Sequence, residues 1–126
     1  MPLVRIDLPA GRPDSDRKAI AEAIYAAMRT TMNVPENDRF QIFAEHSADS
    51  LVIDPTYLGI HRSADAIIIQ VTLNEGRTLE QKRAFYKAVA DGLHEGVGLR
   101  REDIFINLVE VKKENWSFGN GEAQYA

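Results

Sequence analysis

Cysteine is absent from this chain of 126 residues, which excludes a disulfide, a thiolate nucleophile and a zinc–sulfur site. No apolar run is long enough to cross a bilayer, and the N-terminus carries no stretch of the signal-peptide type. The chain has no excess of positive charge, because it contains 15 Lys and Arg and 19 Asp and Glu, for a formal net charge of −4. Nucleic acids and anionic membranes require clustered positive charge. We therefore expect a cytoplasmic protein with no nucleic-acid and no membrane partner.

Common cofactor and metal signatures are also missing. The chain has no phosphate-binding loop, dinucleotide fingerprint or nucleophile elbow. Its histidines, His46, His61 and His94, show no metal-ligand spacing, so we place them at the surface. We expect no cofactor and no metal, in a single domain over residues 1–126, a length that suffices for one hydrophobic core.

An internal repeat is the most informative pattern present. Gly11-Arg12 and Gly76-Arg77 each precede a helical pattern, and they are separated by 65 residues. The same offset, without a gap, matches Val4 with Ile69, Ile6 with Val71, Ala23 with Ala88, Asp38 with Asp103, Phe40 with Phe105 and Glu45 with Glu110. We interpret the chain as two β-α-β units, 1–62 and 63–126, the second of which ends in a tail.

The first unit shows strand, helix and strand periodicity in turn. Leu3–Leu8 alternates as a strand does, and "RFQIFAE" (39–45) does so again. Between them an apolar stripe at helical spacing is formed by Ile20, Ile24, Met28 and Met32. The segment "SLVI" (50–53), in the connection to the second unit, is a candidate for an extra short strand.

The second unit repeats this order. "AIIIQVTL" (66–73) is a continuous apolar run, typical of a strand buried on both faces, and "DIFINLVEV" (103–111) is the closing strand. Thr78 to Gln81 has the capping-box pattern of a helix start, and Gly96 and Gly98 are expected to end that helix. We predict its apolar stripe to be Leu79, Tyr86, Val89 and Leu93.

The expected fold class is α/β (α+β): one four-stranded sheet with two helices on the same face. A β-α-β crossover makes its two strands parallel and places the helix on one side of the sheet. The opposite side of the sheet then has nothing within the chain to cover it. We therefore expect self-association through that face.

Pro2 admits two interpretations. Proline lacks an N–H and suits the first residue of a strand, so Pro2 has a purely structural explanation. Alternatively, initiator methionine is commonly removed before a small residue, which would leave Pro2 as a terminal secondary amine. An α-amino group has a pKa near ~8, and it can act as an acid or a base once its surroundings adjust that value.

Other candidate site residues also have two interpretations each. Arg12 and Arg77 lie between a strand end and a helix start, where anions bind, but both positions equally suit solvated turn residues. Asp38 and its repeat mate Asp103 suit turns formed by side-chain-to-backbone bonds, and Asp38 has a functional interpretation only if a site lies near Pro2. The tail aromatics Trp116, Phe118 and Tyr125 cover either the protein body or a pocket.

Taken in order, Pro2, "NDRFQ" (37–41), "GRT.EQK" (76–82) and "WSFG" (116–119) resemble the tautomerase superfamily, most closely its malonate semialdehyde decarboxylase group. The resemblance covers essentially the whole chain. It implies a homotrimer in which a protonated N-terminal proline, matching Pro2, polarises the carbonyl of a small 3-oxo acid. It also implies that Asp38 assists, that two arginines hold the carboxylate, and that the pocket is walled by Trp116, Phe118 and Tyr125.

One position departs from the group's pattern. Arg77 matches the second arginine, but the first falls on Glu75, whose carboxylate repels an acidic substrate if it faces the site. The expected function is an N-terminal-proline enzyme on a small 2-oxo or 3-oxo acid, decarboxylase-like with tautomerase or hydratase activity. The alternatives are a phenylpyruvate-type tautomerase and a non-enzymatic trimeric module that retains the fold.

Overall fold

The computed structural model describes residues 2–126 and has the predicted order of strands and helices. Short 3-10 turns at Tyr57–Gly59, Arg101–Asp103 and Lys113–Asn115 complete its regular structure. The strands and helices are β1 (Pro2–Pro9), α1 (Asp14–Thr31), β2 (Phe40–His46), β3 (Ile67–Asn74), α2 (Leu79–Val97) and β4 (Ile104–Val111).

The four strands form one mixed sheet in the order β2-β1-β3-β4. β1 is parallel to β2 and β3 is parallel to β4, whereas β1 and β3 are antiparallel. In this register Pro2 lies opposite Leu73, and Leu3 lies opposite Phe40. The first residues of β1 and β2 therefore lie beside the last residues of β3 and β4 at one end of the sheet, which we call the Pro2 end. The opposite end of the sheet, where β3 starts, is the Ile67 end.

Both helices pack on the same face of the sheet, as predicted. The largest fully buried side chains include Ile6 and Leu8 of β1, Ile20 and Ile24 of α1, and Phe85 of α2. Burying an aliphatic or aromatic side chain of this size stabilises a fold by roughly 1.5–3 kcal/mol. This single core fixes the strand register, because a slip by one residue would turn the apolar face to solvent.

Two details of α2 and the connection differ from the prediction. Leu79 is 60% exposed and Tyr86 is 37% exposed, whereas Phe85 is fully buried. The buried positions of α2 are 85, 89 and 93, which are four residues apart. Leu79 is the first residue of α2 and lies outside this buried row. The segment 50–53 forms no strand, since none of its residues pairs in the four-stranded sheet.

The sheet face opposite the helices is open in the single chain. Phe40, Ile42 and Phe105 on this outer face are each between 44% and 48% exposed. β3 is therefore buried on one face only, because Gln70 is exposed where the uniform apolar run predicted burial on both. An apolar sheet face of this kind needs a cover to leave water.

The termini of α2 lie at Thr78 and Gly98, as the sequence predicts, whereas Gly96, which was also expected to end the helix, lies inside it. Thr78 accepts a hydrogen bond from the Gln81 backbone while the Gln81 side chain accepts one from Thr78, which completes the capping box. Gly98 ends the helix in the left-handed conformation, with φ of 71°, which glycine adopts without a Cβ clash. No helix within residues 2–126 is long and apolar enough to cross a membrane.

Candidate active site

Pro2 is buried at the start of β1 and lies between two spaces. On the helix side it lines a small void, together with Arg77 and core residues such as Met32 and Phe85. On the other side it lines an open cavity of about 290 Å³ with Leu3, Phe40, Trp116, Ser117 and Phe118. Removal of Met1, on which a free amine at Pro2 depends, lies outside the described residues. The fold thus places Pro2 at the floor of a largely apolar cavity.

Arg77 lies in the turn between β3 and α2, beside the same void. Its Nη1 donates to the Asn74 carbonyl at 3.1 Å and its Nη2 donates to the Met32 carbonyl at 3.2 Å. A guanidinium has five N–H donors, so these bonds within residues 2–126 fix its orientation and leave three donors for an anion. The solvated-turn interpretation of Arg77 is therefore wrong, because its side chain is half-buried and held.

Arg77 also lines a second open cavity, of about 400 Å³, together with Glu75, Gln81, Asn33 and Lys113. Glu75 therefore does border the space in front of the guanidinium. The charges around this cavity are mixed, since Arg77 and Lys113 are cationic and Glu75 is anionic. Lys113 was not predicted, because it follows β4 without any motif around it.

Glu110 adds a second carboxylate near this turn. A hydrogen bond from Lys82, followed by the charge of Lys82, a backbone hydrogen bond from Gly76 and the charge of Arg77, lowers the pKa of Glu110 below its usual range. Lys82 Nζ lies 2.6 Å from Glu110 Oε1. Lys82 is thereby paired with Glu110.

The three tail aromatics form a continuous stack. Trp116 and Phe118 are parallel, with ring centroids 5.6 Å apart, and Tyr125 meets Phe118 edge-on at 4.9 Å. Trp116 and Phe118 line the cavity beside Pro2, whereas Tyr125 supports Phe118 from behind and is 44% exposed. The indole Nε1 of Trp116 donates to the Asn74 side-chain oxygen at 2.7 Å.

Asp38 precedes β2 at the Pro2 end of the sheet. Phe40, two residues later, pairs with Leu3, so Asp38 lies at the same end of the sheet as Pro2. The Oδ1 atom of Asp38 is buried, and its backbone N–H donates to the Pro35 carbonyl at 3.3 Å in a turn. The fold therefore brings Pro2, Asp38, Arg77, Glu75 and the tail to one end of the sheet.

The repeat mates of these residues lie at the Ile67 end and have different contacts. Arg12 Nη1 binds Asp16 Oδ2 at 3.1 Å, within its own helix start. Asp103 is 1% exposed and accepts from the Ser63 backbone and hydroxyl at 2.7 and 2.6 Å. Asp103 thus anchors a distant segment, which corrects the expectation of a local turn bond.

His46 corrects the expectation of a surface histidine. Its Nε2 lies 2.6 Å from Asp7 Oδ1, and both side chains are largely buried. Burial disfavours the charged form of Asp7, but hydrogen bonds from His46 and Arg5 outweigh this and lower the pKa of that carboxyl. His46 also borders a cavity of about 310 Å³ at the Ile67 end.

Asn74 is the site residue that the sequence interpretation missed. It is a buried polar residue, 8% exposed, and it contacts both Arg77 and Trp116. The available signal was a polar residue directly after the apolar run 66–73 and before the Glu75-Gly76-Arg77 turn.

Family comparisons agree with this arrangement. Two family models described as tautomerase enzymes match the chain, one over residues 38–119 and the other over residues 2–60. The probable tautomerase YusQ of Bacillus subtilis (strain 168) is 40% identical over 124 residues, which cover 98% of each chain. YrdN, a probable tautomerase of the same strain, is 35% identical and covers 99% of this chain and 96% of its own.

Solved structures extend the comparison to the fold. The FG41 malonate semialdehyde decarboxylase, solved as inhibited by 3-bromopropiolate, has a TM-score of 0.91 at 37% identity, covering 98% of this chain and 93% of that one. Another malonate semialdehyde decarboxylase, described with decarboxylase and hydratase activities, has a TM-score of 0.91 at 35% identity, covering 98% and 95%. A fused 4-OT, described as a symmetric trimer, shares the fold at 22% identity with a TM-score of 0.79, covering 95% and 94%. The chain therefore belongs to the tautomerase superfamily of enzymes, in its malonate semialdehyde decarboxylase-like group.

Proposed function

We propose that the chain, once Met1 is removed, uses the terminal amine of Pro2 for acid–base catalysis on a small 2-oxo or 3-oxo acid. The observation that carries this proposal is the position of Pro2, which shares one void with Arg77 and one cavity with Trp116 and Phe118. A proton carrier, an anion anchor and an apolar wall are thereby brought to one end of the sheet.

Decarboxylation of a 3-oxo acid such as malonate semialdehyde is one reaction that this arrangement supports. Protonated Pro2 donates a hydrogen bond to the aldehyde oxygen, and Arg77 holds the carboxylate. The bond between the carboxylate and its neighbouring carbon breaks, and carbon dioxide leaves. The electron pair of that bond stays on the neighbouring carbon and forms an enolate, which protonated Pro2 stabilises. A proton delivered to the enolate carbon completes acetaldehyde. Asp38, at the same edge of the sheet, favours the protonated amine.

Tautomerisation is the second candidate, and the cavity beside Pro2 favours it. That cavity of about 290 Å³ is lined mainly by apolar and aromatic side chains, which suits a substrate with an apolar group such as phenylenolpyruvate. Pro2 then acts as the free base that takes the proton from the enol hydroxyl and delivers it to the alkene carbon, which gives the keto form and restores the free amine. Glu75, which borders the Arg77 cavity, favours the protonated amine and so assists decarboxylation more than tautomerisation.

The active assembly is proposed to be a homotrimer. The exposed apolar residues of the outer sheet face supply the surface for it, and a fused 4-OT of the same fold is described as a trimer. Light scattering at micromolar concentration should give three times the chain mass. A monomer mass would contradict this assignment.

Side-by-side assays test the proposed function. Protein whose N-terminus is shown by mass spectrometry to be Pro2 is assayed with malonate semialdehyde and with phenylenolpyruvate. The matched control retains Met1, which converts the Pro2 nitrogen into an amide with no proton to exchange. Turnover by the processed form alone supports the proposal, and the faster substrate identifies the main activity. Equal turnover by both forms would contradict it.

A further inference from the structure

We propose that Asn74 is a positioning residue that docks the tail onto the sheet and couples it to the anion anchor Arg77. Its side-chain oxygen accepts the indole N–H of Trp116 at 2.7 Å, and its backbone carbonyl accepts Nη1 of Arg77 at 3.1 Å. One residue therefore contacts both the aromatic wall and the guanidinium. The role in catalysis rests on the proposed function, whereas the docking itself does not.

The tail is held together by hydrogen bonds and ring contacts of its own. Gln124 accepts from the Phe118 backbone at 2.9 Å and donates to the Gly119 carbonyl at 2.8 Å. The aromatic contacts of Phe118 with Trp116 and Tyr125 join the same loop. The hydrogen bond from the Trp116 side chain to Asn74 connects this loop to the sheet.

Burial makes this bond consequential. Asn74 is 8% exposed and Trp116 is half-buried, so loss of the acceptor leaves an indole N–H without compensation for its lost water. The docked indole borders the Pro2 cavity, while the Asn74 carbonyl holds Arg77 in the neighbouring cavity. If the tail is released and the Asn74 backbone shifts, the carbonyl that holds the Arg77 guanidinium shifts with it. Conversely, an anion bound to Arg77 should change how firmly Trp116 is docked on Asn74.

Trp116 is the single tryptophan of the chain and reports its own docking by fluorescence. In Asn74→Leu, which keeps the side-chain size and removes the acceptor, we expect red-shifted emission and stronger quenching by acrylamide. In Asn74→Asp, which retains an acceptor oxygen, quenching should return towards the wild-type value. Gln41→Leu is the control, because it removes a 3.0 Å bond to the Ala21 carbonyl away from Trp116 and should leave emission unchanged.

Malonate, a non-reacting dicarboxylate, probes the coupling. We expect malonate to change Trp116 emission in the wild type and in Gln41→Leu, and to lose that effect in Asn74→Leu. If the wild-type enzyme turns over, Asn74→Leu should raise KM for phenylenolpyruvate by about 3- to 10-fold, as loss of one hydrogen bond predicts, with kcat little changed. Trp116→Phe, which keeps a ring and removes the donor, should show the same KM change, and the two changes should not add.

The outcomes separate the two proposals. Equal quenching in wild type and Asn74→Leu would overturn the docking role, and a malonate response that survives in Asn74→Leu would overturn the coupling. If circular dichroism shows that Asn74→Leu does not fold, Trp116→Phe replaces it as the test. In that case a malonate affinity of Trp116→Phe equal to that of the wild type, measured by calorimetry, would overturn the coupling. Neither fluorescence nor calorimetry needs turnover. Failure of the proposed function would instead appear as a wild-type enzyme without Pro2-dependent activity.

Discussion

The two ends of the sheet share a scaffold and differ in the side chains that face their cavities. Ala10 donates to the His46 carbonyl at 2.9 Å, and Glu75, 65 residues later, donates to the Val111 carbonyl at the same distance. Arg17 pairs with Glu45 as Lys82 pairs with Glu110, and the turn glycines Gly11 and Gly76 have φ of 110° and 116°. Contacts that hold a turn between strand and helix are thus retained in both units.

The cavity-facing positions have diverged. Pro2 corresponds to Ile67, which lies inside the chain and can never offer an amine. By the same 65-residue offset, Leu51 and Ile53 are the repeat counterparts of Trp116 and Phe118. Leu51 and Ile53 line the cavity at the Ile67 end, whereas Trp116 and Phe118 line the cavity at the Pro2 end. Arg12 is paired with Asp16, whereas Arg77 is held by two backbone carbonyls and has Glu110 as a nearby carboxylate, whose pKa its charge helps to lower. A shared scaffold therefore carries different side chains at its two ends, and the proposed proton and anion chemistry belongs to the Pro2 end alone.

The two repeat-related arginines provide the largest expected contrast. Arg77→Ala should lower kcat/KM on the order of 100-fold or more, because it removes a charge-assisted grip on the substrate carboxylate. Arg12→Ala, the matched change at the Ile67 end, should stay within about twofold, because Arg12 is paired with Asp16 at the end of the sheet away from Pro2. Steady-state kinetics on both variants measure this, and similar losses would show that the ends are not specialised.

The tail aromatics give the next contrast. Trp116→Ala should raise KM for phenylenolpyruvate roughly 10-fold, because it removes the ring that walls the Pro2 cavity and stacks on Phe118. Leu51→Ala, the repeat mate, should leave KM unchanged. An unaltered KM in Trp116→Ala would mean that the tail does not contact substrate.

Glu75 tests the charge of the anion cavity. Glu75→Arg should lower KM for malonate semialdehyde several-fold, because the change replaces repulsion by attraction beside Arg77. Ala10→Arg is the matched control at the Ile67 end and should have no effect on KM. A KM that rises or stays constant in Glu75→Arg would show that the carboxylate does not act on the substrate.

Asp7 gives the smallest expected effect, and one in stability alone. Its pKa is lowered in the folded chain, so its ionised form stabilises the fold above about pH 4, the ordinary carboxyl range, and this contribution is lost as pH falls through the folded pKa. Asp7→Asn should lower the melting temperature by a few degrees at pH 7. The difference in melting temperature should shrink as the pH falls through the folded pKa of Asp7, and a difference that stays constant with pH would contradict the pKa argument.

The succession of strands and helices along the chain followed from the sequence, because a gap-free repeat and alternating apolar residues constrain each other, whereas the order of the strands across the sheet was not predicted. In the predicted core stripe of α2, Val89 and Leu93 are confirmed and Tyr86 is wrong by one residue, since Phe85 and Tyr86 are both aromatic and only packing selects between them. His46 and Asn74 could not be predicted, because their partners Asp7 and Trp116 lie 39 and 42 residues away. Local patterns predict elements, whereas site contacts depend on strand register.

Alkylation by 3-bromopropiolate tests the central claim, that the Pro2 end acts through its terminal amine. The processed protein is treated with this reagent, which inhibits the FG41 malonate semialdehyde decarboxylase, and the adduct is mapped by mass spectrometry of peptides. The account predicts one adduct per chain on the nitrogen of Pro2, with complete loss of activity and no labelling of the Met1-retained form. An adduct elsewhere, or full activity with Pro2 alkylated, would contradict it.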